Sequence, residues 1–178
     1  MRIIAGKNKG KKLKSFTGNE VRPTSDRARE SLFNILASSV VGCEFLDLCC
    51  GTGAMGIEAY SRGASTVTFV DNSRDSIKLC KENANSVGIL EEFIIKDALS
   101  FVKSCNKKYG VIFFDPPYAF CGASEVLTMV KQNGLLKEGG VFIYEHDKNA
   151  QAPLVEGLKI VDTRKYGIAV FDFYEEIV

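Results

Sequence analysis

Asp47-Leu48-Cys49-Cys50-Gly51-Thr52-Gly53-Ala54-Met55-Gly56 runs from an apolar, strand-like stretch over 44–48 into a helical pattern over 54–62. Its glycines fit G-x-G-x-x-G, a spacing that turns the chain tightly, lets a ligand approach the backbone and packs the next helix close to the sheet. Working outward, strand-like runs at 66–70, 92–95, 111–114 and 141–145 alternate with helical patterns at 73–87, 97–105 and 123–133. Such alternation predicts an α/β fold, a mostly parallel sheet with helices on both faces. The end of the chain differs, because 158–163 and 168–174 flank Lys165-Tyr166-Gly167 with no helix between them, which predicts a terminal antiparallel hairpin.

The chain has 178 residues, 46% hydrophobic and 25% charged, as expected for one globular domain and not for a disordered chain. Its longest apolar runs are strand-sized, well short of the roughly 18 residues of a membrane span. The opening Met1-Arg2-Ile3-Ile4-Ala5-Gly6-Lys7 has no signal-peptide core, so the expectation is a cytoplasmic protein without membrane association. Six cysteines without a C-x-x-C pair, and one histidine, predict buried thiols that behave as small hydrophobes, with no disulfide and no metal.

A formal net charge of +1 conceals an asymmetry. Residues 1–29 carry Arg2, Lys7, Lys9, Lys11, Lys12, Lys14, Arg22, Arg27 and Arg29 against Glu20 and Asp26, while the remainder is acidic. A basic arm on an acidic body suits a polyanion, though a solvated lysine-rich hairpin reads equally well from charge alone. The arm has extended character at Arg2-Ile3-Ile4-Ala5 and Lys12-Leu13-Lys14-Ser15-Phe16, separated by the turn residues Gly6-Lys7-Asn8-Lys9-Gly10, and this predicts a basic β-hairpin. After Arg22-Pro23, a choice of capping residues (Thr24, Ser25, Asp26) opens a helix that presents Ala28, Leu32, Phe33, Ile35 and Leu36 to the body. The expected division is 1–22, a basic extension, and 23–178, the catalytic domain.

Ligands of such sheets sit at the carboxyl ends of the strands. Four candidates lie there besides Gly51 and Gly53: Asp47, Asp71 with Asn72, Asp97 with Ala98, and Asp115. Asp71 stands twenty residues after Gly51, where an acid reaches ribose hydroxyls. Asp47 would repel a pyrophosphate and welcome an amine or a sulfonium-bearing amino acid. Asp97 suits an adenine amino group, with helix capping as its competing role. Together the acids favour S-adenosyl-L-methionine over a nicotinamide dinucleotide.

The fourth strand ends in Asp115-Pro116-Pro117-Tyr118. Two prolines stiffen the backbone and leave carbonyls free to accept. A carboxylate and the Pro116 carbonyl can then hold both hydrogens of an exocyclic amine while Tyr118 stacks on the base. This tetrad resembles the [DN]-P-P-[FYW] motif of class I methyltransferases that act on planar amino groups. The flanks Arg2-Ile3-Ile4-Ala5-Gly6, Arg22-Pro23-Thr24, Asp26 to Asn34, Gly53 to Ala59 and Ser61-Arg62-Gly63-Ala64 resemble the bacterial 16S ribosomal RNA guanine-N(2) methyltransferases, the RsmD family. The likeness covers nearly the whole chain; Cys49-Cys50 stands where an aromatic-plus-small pair is usual, and Thr52 where serine is common.

The resemblance implies a Rossmann-like class I methyltransferase fold with a seven-stranded sheet. It implies transfer of one methyl from S-adenosylmethionine, leaving S-adenosylhomocysteine, to the 2-amino group of one guanosine in 16S ribosomal RNA (the guanine-966 type of reaction). The partner would be the small ribosomal subunit, the enzyme a monomer, and Arg2, Lys7, Lys9, Lys11, Lys12, Lys14 and Arg22 would grip RNA phosphates. Alternatives are an amino-group methyltransferase on DNA or protein glutamine, and a non-catalytic RNA-binding assembly factor. A DNA enzyme usually carries a separate recognition region, for which the length leaves little room.

Overall fold

A computed structural model describes residues 1–16, 25–90 and 92–177. Arg22, Pro23 and Thr24 lie outside the described residues. The chain runs α1 (Asp26–Leu36), β1 (Glu44–Leu48), α2 (Ala54–Ser61), β2 (Thr66–Asp71), α3 (Arg74–Asn85), β3 (Phe93–Ile95), α4 (Ala98–Ser104), β4 (Tyr109–Phe114), α5 (Ala123–Gln132), β5 (Leu136–Asp147), β6 (Leu158–Tyr166) and β7 (Ala169–Glu176). Seven strands form one sheet in the order β3-β2-β1-β4-β5-β7-β6. The first five are parallel, and β7 enters antiparallel between β5 and β6. The terminal hairpin thus places its last strand inside the sheet and its first strand at the edge.

Period-2 alternation splits the core between two faces. Phe45, Phe69, Phe113, Ile143 and Phe171 join Leu32, Phe33, Ile57 and Ile77 on one face, under α1, α2 and α3. Leu46, Leu48, Val70, Phe114, Phe142 and Tyr144 join Val102 and Val126 on the other, under α4 and α5. Burial of each phenylalanine contributes roughly 1.5–3 kcal/mol relative to exposure. The chain order reverses between β1 and β4, so their carboxyl ends border the crevice of the sheet.

Two expectations need correction, on α1 and at the cysteines. The amino-terminal arm pairs as a short antiparallel hairpin around one Arg2–Lys12 bridge, with Ile3 N–H donating to the Lys11 carbonyl at 2.9 Å and Leu13 N–H to the Met1 carbonyl at 3.1 Å. Its turn, with Gly6 and Gly10 at positive φ, folds against α2, and Ile3 and Leu13 are buried in the α1–α3 core. Anchorage to α2 adds to this short pairing. On α1, Ile35 is exposed, contrary to expectation, and Arg29 is buried, its guanidinium donating to the Arg2 carbonyl at 2.6 Å and to Asp26 at 3.0 Å with Glu58 3.9 Å away. Among the cysteines, Cys121 is exposed, contrary to expectation; all six are free thiols.

Candidate active site

The glycine loop is braced by two carboxylates. Asp47, fully inside the sheet, accepts the Gly56 N–H at 2.8 Å. Asp71 accepts the Gly51 N–H at 2.9 Å through one oxygen and the Ser73 N–H at 2.9 Å through the other. Each glycine has a separate reason to be one. Gly51 has φ +52 and open space where a side chain would stand, so a ligand can reach its backbone. At Gly53, φ +79, a Cβ would lie 2.5 Å from Cys80 Sγ; at Gly56 it would lie 2.5 Å from the Phe69 ring. Cys49 occupies the left-handed region at φ 67 without being glycine, a conformation costing about 1–3 kcal/mol and typical of functional loops.

Electrostatics locate the centre of the crevice. Burial raises the Cys49 thiol, and after burial the contributors are Asp71, Asp115, Asp47 and Asp97. Four expected site carboxylates therefore surround one loop residue. Burial pushes Asp47 up to about 8, against the Gly56 N–H and with help from Asp71. Burial likewise lifts Asp115 well above the usual carboxylate range, assisted by the charges of Glu145 and Asp47. Such a cluster welcomes a cationic ligand and rejects phosphate. The fit to S-adenosylmethionine is good: open backbone at Gly51, acids around it and no cation in the loop.

Some expected residues carry a second task. Asp97 caps α4, accepting the Ser100 N–H at 2.9 Å, and that bond holds it below the usual range. Ala98 is buried at the start of the same helix, and Asn72 is exposed just after β2. In the tetrad, Asp115 donates its N–H to the Leu48 carbonyl at 3.3 Å, which ties the end of β4 to β1. Pro116 is buried, Pro117 exposed with its carbonyl accepting from Phe120 at 2.8 Å, and Tyr118 is 55% exposed. A stiff turn therefore lifts one aromatic ring over the rim.

Beyond Tyr118 lies a cavity of about 580 Å³ lined by Ser25, Arg27, Tyr118, Glu145, Lys165 and Tyr166. Its two far walls, the start of α1 and the β6–β7 turn, are linked by a short hydrogen bond between the Ser31 and Tyr166 hydroxyls. The size is that of a small-molecule or nucleotide pocket. Glu145, Glu58 and Arg29 were outside the sequence-based expectations. The signal for Glu145 was present: it is the acid at the end of the run 141–145, as Asp47 lies near the end of 44–48 and Asp71 and Asp115 follow 66–70 and 111–114.

Glu58 of α2 accepts from Ile4 N at 2.8 Å, Ala5 N at 3.0 Å and Arg62 Nε at 2.7 Å, with Arg29 Nε 3.9 Å away. It thereby pins the basic arm to the helix that follows the glycine loop. Of the arm's cations, Lys7 sits over the Tyr60 ring at 3.4 Å, Lys14 pairs with Glu82 at 3.0 Å and Arg2 lies 3.8 Å from Asp26. Lys9, Lys11 and Lys12 are exposed.

Comparison with known proteins agrees with this architecture. The model of the family described as Conserved hypothetical protein 95 matches residues 1–175. The ribosomal RNA small subunit methyltransferase D of Haemophilus influenzae is 31% identical over 180 residues, covering 98% of this chain and 93% of that protein. Its namesake from Escherichia coli K12 is 33% identical over 156 residues, 87% of this chain and 79% of the relative. A solved Escherichia coli chain, provisionally named methyltransferase yhhF, superposes with a TM-score of 0.89 at 28% identity, over 99% of this chain and 97% of that one. With a class I methyltransferase sheet and a family match over almost its whole length, the chain belongs to the RsmD family.

Proposed function

We propose that this protein methylates the exocyclic 2-amino group of one guanosine in 16S ribosomal RNA of the small subunit, acting in the cytoplasm as a monomer. The observation that carries this reading is the position of Asp115-Pro116-Pro117-Tyr118, on the rim between an acid-lined glycine loop and a cavity with cationic walls. The names of the relatives support the ribosomal RNA substrate class.

S-adenosylmethionine, when bound, supplies an activated methyl group. Gly51, Gly53, Asp47, Asp71, Asn72, Asp97 and Ala98 would hold it at the ends of β1, β2 and β3. The amine of guanine is a poor nucleophile because its lone pair is delocalised into the ring. The Asp115 carboxylate and the Pro116 carbonyl accept hydrogen bonds from its two N–H groups and turn the lone pair toward the loop, while Tyr118 stacks on the base; once the N–C bond has formed, one N–H proton leaves to Asp115 or to solvent. Pro117 stiffens the turn that aims them. Orientation in a partly desolvated site then supplies most of the acceleration. Residues 1–22 act as an RNA-gripping extension, with Lys9, Lys11 and Lys12 the cations turned to solvent for phosphates.

The test is nucleoside mass spectrometry on small subunits purified from cells lacking this gene, after incubation with the protein and S-adenosylmethionine. N(2)-methylguanosine at one position is the expected result. Binding of S-adenosylmethionine without methylation of subunits or free ribosomal RNA would overturn the substrate assignment and redirect it to DNA or protein glutamine.

A further inference from the structure

We infer that Glu145 is the specificity-determining residue for guanine, accepting the ring N1–H beside the amine that Asp115 holds; this rests on the guanine-N(2) reading above. Phe114 pairs with Tyr144 in parallel register, so Asp115, just past the end of β4, stands beside Glu145, which lies within β5 two residues before its end, and the charge of Glu145 acts on Asp115. Alternation directs both to the sheet face already occupied by Phe113 and Ile143. Glu145 is only 4% exposed, yet it lines the cavity bordered by Tyr118. A stacked base on Tyr118 therefore meets two carboxylates side by side.

The chemistry of the bases makes this arrangement selective. Guanine presents a ring N–H directly beside an exocyclic amine, three hydrogens in a row. Adenine and cytosine present a ring nitrogen acceptor beside theirs. Asp115, the Pro116 carbonyl and Glu145 form three acceptors, which match guanine and set a lone pair against a carboxylate for the other two. A site built to accept an N–H rejects strongly the analogue that offers a lone pair in its place. Arg27 and Lys165 on the cavity wall are placed for the phosphates flanking the extruded nucleotide.

The experiment uses small subunits reconstituted with RNA carrying 2-aminopurine at the methylated position. That base keeps the 2-amino group and replaces N1–H by an acceptor. The wild-type protein should methylate guanine at least about a hundredfold faster than 2-aminopurine. Glu145→Gln, whose amide can accept from N1–H through its oxygen or donate to the ring nitrogen of 2-aminopurine, should narrow the preference for guanine tenfold or more. Equal wild-type rates on the two bases overturn the inference, whatever the folding of the variant. A Gln variant that melts like the wild type and keeps the full guanine preference overturns it as well. Absence of N(2)-methylguanosine from wild-type reactions on unmodified subunits is the separate failure of the underlying reading, and it removes this inference too.

Discussion

The two flanks of Asp115-Pro116-Pro117-Tyr118 are built in opposite ways. On the β1 side, a continuous decapeptide makes the crevice, and its acids are tied to N–H groups of the same loop or of the turns beside it. On the β5 side, the cavity draws on the start of α1, Tyr118, Glu145 and the β6–β7 turn, residues spread from 25 to 169. The first flank tolerates little change because glycine φ values and close approaches define it. The second depends on docking: the Ser31–Tyr166 bond and the position of α1 set its width. On the proposed reading, a cofactor common to many proteins meets the local flank, and the substrate peculiar to this one meets the assembled flank.

The strongest test of that division is Asp115→Ala, at the border. Turnover should fall by about a thousandfold while S-adenosylmethionine affinity, measured by calorimetry, stays within a few-fold. Loss of both together would merge the two flanks into one site. Next in size is Glu58→Ala, which takes the acceptor from the Ile4 and Ala5 N–H groups and from Arg62, and leaves Arg29 with Asp26 as its carboxylate partner. Unfolding in urea should show a loss of about 2–4 kcal/mol. A loss under 1 kcal/mol would mean that burial of Ile3 and Leu13 and the bonds to Ser61 and Asn83 hold the arm without Glu58.

Smaller effects sharpen the substrate side. Replacing Lys9, Lys11 and Lys12 together by glutamine should flatten the plot of log affinity for RNA against log salt by about two. An unchanged slope would assign the phosphate contacts to other cations, such as Arg27 and Lys165. The subtlest test is the pH dependence of stability near the β6–β7 hairpin. His146 Nε2 and Asp172 Oδ2 lie 2.6 Å apart, both buried. The bond to Asp172 raises His146 above 6.5 despite burial. Its contribution is therefore complete below about pH 6.5 and is lost as pH rises through the raised folded-state value. Burial works to raise Asp172, and its bonds with His146 and Thr163 outweigh that, leaving it lowered, so its contribution is lost only in acid. Melting temperature should decline from pH 6 upward in the wild type, and this decline should vanish in His146→Gln.

The reading of α1 shows where pattern stops being informative. Helical spacing selected Ala28, Leu32, Phe33 and Leu36 correctly, but it counted Ile35 as core and Arg29 as surface. Hydrophobic periodicity assumes that the buried face meets apolar neighbours, whereas here the Arg2 carbonyl, Asp26 and Glu58 surround a buried arginine. Strand β5 shows the same limit at its start: polar Lys137, Glu138, Gly139 and Gly140 hid the extension from 141 back to Leu136.

From sequence alone came the order of strands and helices along the chain, the glycine loop, the rim acids and the tetrad. Each of these depends on contacts within a few residues or on alternation along one strand, and such constraints are written in neighbouring letters. Only the folded chain decided that β7 lies inside β6, that the arm docks through a buried glutamate and that Glu145 stands beside Asp115. Those facts follow from strand register and from desolvated charges finding partners across the molecule, quantities that no local pattern contains.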